Sequence, residues 1–436
     1  MRVVAFMLSL LACLNAGATT YTFGSGGDFA TVADINWAGL SAGDVLDGQG
    51  QTFAERMDIG ASGSSGNPII IQNFTLDGED SLATVLTFYD SAAAEHITLR
   101  DVTLKRSTGH GLNFSPTATS ATMAGVRLER VVSEDHAQNC FKLGDPTGGG
   151  GFPSLVAVDI TARRCGNVGI ALSGQSGAYL LRPYVDTAGI NGGNLDGIAV
   201  DDGADGTIVM LPQVHNQRGG QAIDIQDSSG SARNYVIMAY VVQADDLSTI
   251  DGISVTGSSP TTVAGSVVVG GRDAYIAKST ADHWLYNSIA QEPTQYGVRA
   301  GLSTLNGTLK LRGFAAVRPG GKAVWVRDDA GSSIDTDGNV YVTDLGQPFT
   351  YKGTSYNLAD WRTQTSGDAN SSVEPESTAL FQGGDSPSTF AGFKPTASSP
   401  LIRAGTCYLT TGCVHYDYEG KRARVPPDIG ALQRNQ

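Results

Sequence analysis

The sequence predicts an all-β fold, a right-handed parallel β-helix of about ten to twelve rungs with capped ends. Three observations predict it. A five-residue phrase (polar, small, then aliphatic–any–aliphatic) recurs as His110-Gly111-Leu112-Asn113-Phe114, Asn139-Cys140-Phe141-Lys142-Leu143 and Val168-Gly169-Ile170-Ala171-Leu172. It continues at Asp196, Gln221 and Asp251, so successive copies are 29, 29, 28, 25 and 30 residues apart. Looser copies begin at Arg272, Tyr296 and Lys322. The chain also holds 56 Gly in 436 residues and only 17% charged residues. Finally, no 3.6-residue pattern runs long enough to supply crossover helices.

The elements follow in order. Met1-Arg2, the apolar run Val3 to Leu11 and Ala16-Gly17-Ala18 read as a signal peptide over residues 1–18, so the mature chain is expected to be secreted. Leu10-Leu11-Ala12-Cys13 also has the form of a lipoprotein box, an alternative that makes Cys13 a lipidated first residue. The apolar run is too short for a bilayer, and no later one reaches 18 residues; no membrane span is expected. Residues 19–60 are expected to cap the first rung, whose backbone would otherwise lie open. Residues 61–345 form the coil. In each phrase the third and fifth side chains point inward and the fourth outward. Ile97-Thr98-Leu99, Val126-Arg127-Leu128 and Ile208-Val209-Met210-Leu211 supply earlier strands of their rungs. Residues 346–436 read as an irregular C-terminal region that ends in a closing strand near Ile429.

Charge and cysteines narrow the class. The net charge is −14 and becomes −15 once Arg2 is removed with the signal peptide. Such a chain is not expected to bind nucleic acid through a basic face. Cys407 and Cys413 are close enough in sequence to staple a loop in an oxidising compartment, whereas Cys140 and Cys165 read as unpaired packing residues.

The C-terminal region carries a resemblance. Tyr356-Asn357-Leu358-Ala359-Asp360-Trp361, Ser366-Gly367-Asp368-Ala369-Asn370-Ser371 and Ser398-Ser399-Pro400-Leu401-Ile402 resemble segments of secreted β-helix proteins of the pectate-lyase-like superfamily. Tyr418-Glu419-Gly420-Lys421-Arg422 and, near the other end, Ala61-Ser62-Gly63-Ser64-Ser65-Gly66 are similar to further segments. The resemblance implies architecture, and with it a carbohydrate-active protein. It does not choose among lyases, hydrolases, epimerases and binders.

Outward residues of successive phrases line up in columns. The first positions are His110, Asn139, Val168, Asp196, Gln221, Asp251, Arg272, Tyr296 and Lys322. The fourth are Asn113, Lys142, Ala171, Ala199, Asp224, Ser254, Tyr275, Arg299 and Trp325. Mixed carboxylates, cations, amides and aromatics suit a groove for an extended polar polymer. Cleavage of an acidic polysaccharide by β-elimination is the leading expectation. Lys142 would be the base and Arg218 the charge stabiliser, with Asp196, Asp224 and Asp251 holding sugar hydroxyls or Ca²⁺. His110, Asn139, His215, Gln221, Tyr275, Arg299 and Trp325 would contact the glycan, His215 and Arg218 near Asp196 and Asp224. Asp201, Asp202 and Asp205 crowd one bend next to Asp227 on the following rung, and Asp201, Asp202 and Asp227 are the oxygen ligands expected for Ca²⁺, the only cofactor expected.

Two alternatives remain. Asn194-Leu195-Asp196-Gly197 is similar to a motif of polygalacturonase-type hydrolases, but the Asp-Asp pair expected on the next rung is replaced by Gly220-Gln221. Asp196 and Asp251, two rungs apart, would lie roughly 9–10 Å from each other. That is near the span of about 6.5–9.5 Å used by inverting hydrolases. The other alternative is a glycan binder without catalysis. A monomer is expected.

Overall fold

The computed structural model describes residues 18–89, 94–115, 124–144, 153–174, 177–193, 195–201, 203–204, 206–226, 232–243, 249–278, 281–301, 307–327, 333–402 and 429. The described chain winds as a parallel β-solenoid of about ten turns. A typical coil has three strands, as in Val156–Val158, Thr161–Cys165 and Ile170–Ser173. First and second strands stack into a 22-stranded sheet, and third strands into a 13-stranded one. Near the N-terminus the first and second strands run on as one long strand, for example Ile97–Ser107. Thr20–Thr22 and Val45–Phe53 already pair in parallel register, so stacking begins inside the segment expected to act as a cap.

The corners explain why the chain turns where it does. Between first and second strands stand Asp101, Arg130, Asp159, Arg182, Leu211 and Met238, one per coil, with φ between 52° and 56°. Each is left-handed, a conformation that re-aims the strand and is uncommon outside Gly, Asn and Asp. Later coils place Gly265, Gly313 and Gly338 there. Acidic and basic corners pair across coils: Arg130 Nε reaches Asp101 Oδ1 at 2.6 Å, and Arg182 Nε reaches Asp159 Oδ1 at 2.6 Å. These pairs are about half exposed and contribute at most about 1 kcal/mol each.

Stability comes from the interior. In register across first strands, Leu99, Leu128, Ala157, Leu180, Val209 and Val236 are all fully buried. Third strands add Leu112, Phe141, Ile170, Ile198, Ile223 and Ile253. Burying each large side chain contributes about 1.5–3 kcal/mol. Cys140 and Cys165, expected to stay unpaired, form a disulfide with Cα atoms 5.5 Å apart. The corner between second and third strands brings them together, because Cys165 ends one coil's second strand just where the preceding coil's phrase begins. Cys407 and Cys413 lie outside the described residues.

The last coil is plugged. Phe349–Tyr351 and Thr354–Tyr356 form the antiparallel pair that ends the 13-stranded sheet. Helix Leu358–Thr365 follows, with the Asn357 side chain accepting from Asp360 N. Trp361 is fully buried, stacks on Phe349 at 4.9 Å and donates from Nε1 to Asp368 Oδ2 at 2.6 Å. Asp368 also accepts from Thr336 Oγ1 and Asn339 Nδ2, each at 2.8 Å. Beyond the plug the chain folds back along the outer face of the second strands. There Leu380, Phe381, Phe390, Phe393, Leu401 and Ile429 pack on residues including Tyr240, Val267, Ile289 and Val340.

Candidate functional site

The polar columns lie on the outer face of the third strands. Register fixes one column as Asn113, Lys142, Ala171, Ala199, Asp224, Ser254, Ile276, Arg299 and Trp325. Tyr275 is absent from it, which corrects the expected glycan contact. The seventh phrase starts at Asp273, not Arg272, and a one-residue slip exchanges the two faces of a strand. Asp273 therefore pairs with Tyr296 in the first-position column. Tyr275 points into the core, 3% exposed, and its hydroxyl donates to the carbonyls of Ser266 and Ile289 at 3.1 and 3.0 Å.

In the middle of this face the side chains are polar yet buried. Asp196 is 6% exposed, and Asp224 and Asp251 are each 1% exposed. Burial first, then the neighbouring Asp224 carboxylate, pushes Asp196 up to about 8. Burial also raises Asp224 to about 6, while Gln226, Ser254 and the Lys278 ammonium pull in the opposite direction. Asp196 Oδ1 accepts from Gln221 N at 2.7 Å. The same bridge between coils recurs at His110 Nδ1, which accepts from Asn139 N, and at Asn139 Oδ1, which accepts from Val168 N. Polar first positions thus tie each coil to the next, and Asp196 adds a proton that titrates near neutrality.

Asp224 differs. Its Oδ2 accepts from Gln226 Nε2, but Oδ1 is buried without a hydrogen bond of good geometry, and so is the Oγ of Ser254, the residue opposite it whose hydroxyl is near enough to lower the Asp224 pKa. Gln221 Oε1, Asp273 Oδ1 and Arg299 Nε share that condition on the same face. Buried polar groups are nearly always bonded, so a row of unsatisfied ones marks a place where a ligand or water completes the set. Asp251 is satisfied: Arg272 clamps both of its oxygens, Nε to Oδ1 at 2.9 Å and Nη2 to Oδ2 at 2.5 Å. Arg299 Nη1 holds Asp273 Oδ2 at 2.8 Å.

The other expected residues scatter. Lys142 shares the column of Asp224 but stands three coils away, about 14 Å by three interstrand steps. Arg218 is exposed in the bend before Gln221, and the cation acting on both Asp196 and Asp224 is Lys278. Lys142 therefore stands apart from Asp224, which it was expected to serve as base. His215 lies on a second strand between Tyr184 and Tyr240, with ring centroids 5.5 and 5.7 Å away, and not beside Asp196. His110 is driven down to about 4 by burial and then by the Lys142 charge, so it is neutral. Asp201 bonds to Ser173 Oγ, and Asp202, Asp205 and Asp227 lie outside the described residues. Among the described residues no three His, Cys, Asp or Glu side chains are grouped to hold a metal ion. No described helix is long and apolar enough to cross a membrane.

Lys278 and Gln226 were missed in the sequence. Both follow the last inward residue of their strands, one place beyond the repeating phrase, where Asp201 stands two coils before the coil of Ser254. Extending the phrase by one position would have found them. Near the C-terminal end of the face, Tyr296 stacks on Trp325 with centroids 5.5 Å apart and planes inclined 14°. Arg299 Cζ lies 5.5 Å from the Trp325 ring centre.

No family model matches the chain, and no curated protein matches it. Among solved structures it is similar to pectate lyase Pel9A, at 12% identity over 97% of each chain with a TM-score of 0.52. It is also similar to XylC in complex with xylose, at 8% identity over 82% of this chain and 86% of that one, TM-score 0.57. The A-module of mannuronan C-5 epimerase AlgE4 from Azotobacter vinelandii matches at 12% identity over 77% and 91%, TM-score 0.51. At such identities the likeness is one of fold. In fold, the chain is a parallel β-solenoid of about ten turns, the architecture it shares with these right-handed β-helix proteins.

Proposed function

We propose that this chain cleaves a polysaccharide on the outer face of its third strands, by hydrolysis with Asp196 as general acid and Asp224 as general base. The observation that carries this reading is the buried Asp224 Oδ1, which makes no hydrogen bond of good geometry, on the coil next to Asp196. Two carboxyl groups whose surroundings separate their titration divide the acid and base roles between them. Asp196, raised to about 8, keeps its proton at neutral pH and can pass it to a leaving glycosidic oxygen. Asp224, at about 6, is mostly ionised there and its Oδ1 can take a proton from water. Asp251 suits the base role less well, because both of its oxygens are engaged by Arg272.

Pectate lyase and mannuronan C-5 epimerase among the similar folds support carbohydrate as the ligand class, and an acidic polysaccharide as a partner. β-Elimination by Lys142 has less support, since that amine is three coils from Asp224. Secretion through residues 1–18 remains part of the proposal, as an exported protein is one that meets extracellular glycans. The test is to incubate the protein with a glycan panel and follow new reducing ends and unsaturated-uronate absorbance together. Reducing ends without absorbance are expected, and Asp196→Asn should abolish them. A rise in absorbance would replace hydrolysis with elimination, and tight binding without either product would leave a glycan binder.

A further inference from the structure

Resting on that reading of the site, we propose that the outer face of the third strands selects a mixed glycan. A neutral sugar sits over Asp196 and Asp224, and anionic sugars on either side are held by Lys142 and Arg299. The fourth-position column reads Lys142, Ala171, Ala199, Asp224, Ser254, Ile276, Arg299 in unbroken parallel register. A carboxyl group stands at its centre and a cation three coils away on each side, about 14 Å by interstrand spacing. Only uncharged side chains intervene.

The flanking residues repeat this segregation. At the centre the charges of Asp201 and Asp224 both bear on Asp196, and one lysine, Lys278, acts on Asp196 and Asp224. An anionic sugar placed there would meet like charge in a poorly solvated place. Toward the C-terminal end Arg272, Arg299 and Lys322 stand with Asp251 and Asp273, an excess of one cation. Arg299 spends Nη1 on Asp273 and keeps Nε buried without a partner, while the Tyr296–Trp325 stack beside it offers a flat face to a sugar ring. Toward the N-terminal end Thr87 and Asn113 precede Lys142 in register, and Thr87 Oγ1 and Asn113 Oδ1 are buried without partners. Both can take a sugar hydroxyl. Carboxylate and sulfate groups present the same acceptor chemistry to Lys and Arg, so the probes must separate them.

Four probes do so: hyaluronan (uronate alternating with a neutral sugar), the same polymer with its carboxyls reduced, κ-carrageenan (sulfate alternating with a neutral sugar), and polygalacturonate. Affinity is measured by calorimetry with the full chain carrying Asp196→Asn, and cleavage with the unaltered chain. Hyaluronan or κ-carrageenan is expected to bind at least about tenfold more tightly than polygalacturonate and than the carboxyl-reduced polymer. Lys142→Ala, a residue with no ion pair among the described residues, should cost about tenfold on the preferred anionic probe and nothing on the reduced one. Arg299→Gln should do the same, and its melting temperature is checked because Asp273 loses its partner. Equal or tighter binding of polygalacturonate, binding of none of the probes, or an unaffected Lys142→Ala would overturn the inference. Cleavage of an alternating glycan by elimination would overturn hydrolysis and leave the mixed-glycan preference standing. Hydrolysis that favours polygalacturonate would do the reverse.

Discussion

Two outer faces of the same coil are finished in opposite ways. Along the second strands, from Tyr240 to Val342, the face is mainly apolar, Gln291 being a polar exception that bonds to Asp385 O, and the chain covers it with its own Phe381, Phe390, Phe393 and Leu401. Along the third strands the face is just as buried around Asp224 but polar, and several of its atoms lack partners. Burying apolar surface is favourable, whereas burying an unpaired polar atom costs about 1–3 kcal/mol. The first face is therefore a stability device. The second spends stability, which is what a site kept ready for a ligand does.

The largest expected effect comes from removing the chemistry of the polar face. Asp224→Asn should lower cleavage by about 10²–10⁴-fold, the usual contribution of a general acid or base. Its melting temperature should hold or rise, because a buried carboxyl group is replaced by a neutral isostere. A loss of folding in step with activity would make Asp224 a structural residue and erase the contrast between the faces.

The covered face should respond in the opposite sense. Phe393→Ala empties an aromatic place against Phe381 and Tyr240 and should destabilise by about 3–5 kcal/mol in denaturant melts. The kcat of the folded fraction should not change. An altered kcat would mean that the two faces are coupled.

Acid sharpens the comparison. An unfolded aspartate titrates near 3.9, while folded Asp224 and Asp196 titrate at about 6 and about 8. Between the unfolded and folded values only the folded chain holds the proton. Stability therefore falls as pH rises from about 4, until about 6 for Asp224 and about 8 for Asp196, by up to about 1.4 kcal/mol per unit for each. Melting temperature should be higher at pH 5 than at pH 8, and Asp196→Asn should shrink the difference. The same two values predict a bell-shaped rate profile with its maximum between about 6 and 8. The smallest effect belongs to a corner: Arg130→Ala breaks an exposed pair with Asp101 and should cost no more than about 1 kcal/mol.

The coil was legible because its strands repeat a phrase of fixed phase, so inward Leu112, Phe141 and Ile170 announced themselves. Legibility failed where the phase slipped or the chain turned. Arg272-Asp273 offers two polar starts for one strand, and choosing the first put Tyr275 outside instead of in the core. Residues near in sequence but across a corner, such as His215 and Gln221, face different directions, which no spacing rule reveals. Cys140 and Cys165 met through a corner for the same reason. Two of the segments that resemble other β-helix proteins, Tyr356–Trp361 and Ser366–Ser371, fold as the plug around Trp361 and Asp368, so they spoke of architecture and not of chemistry. Asp196 and Asp224 were visible as outward carboxyls, but their burial, and Lys278 beside them, required the stacked coils.

The most direct test is a crystal structure of the Asp196→Asn chain soaked with the oligosaccharide that the panel shows to be cleaved. The sugar should run along the third strands, over Ala199 and Asp224, with a hydroxyl or glycosidic oxygen near Asp224 Oδ1. Sugar found instead beside Tyr184 and His215, with the third-strand face bare, would contradict the account.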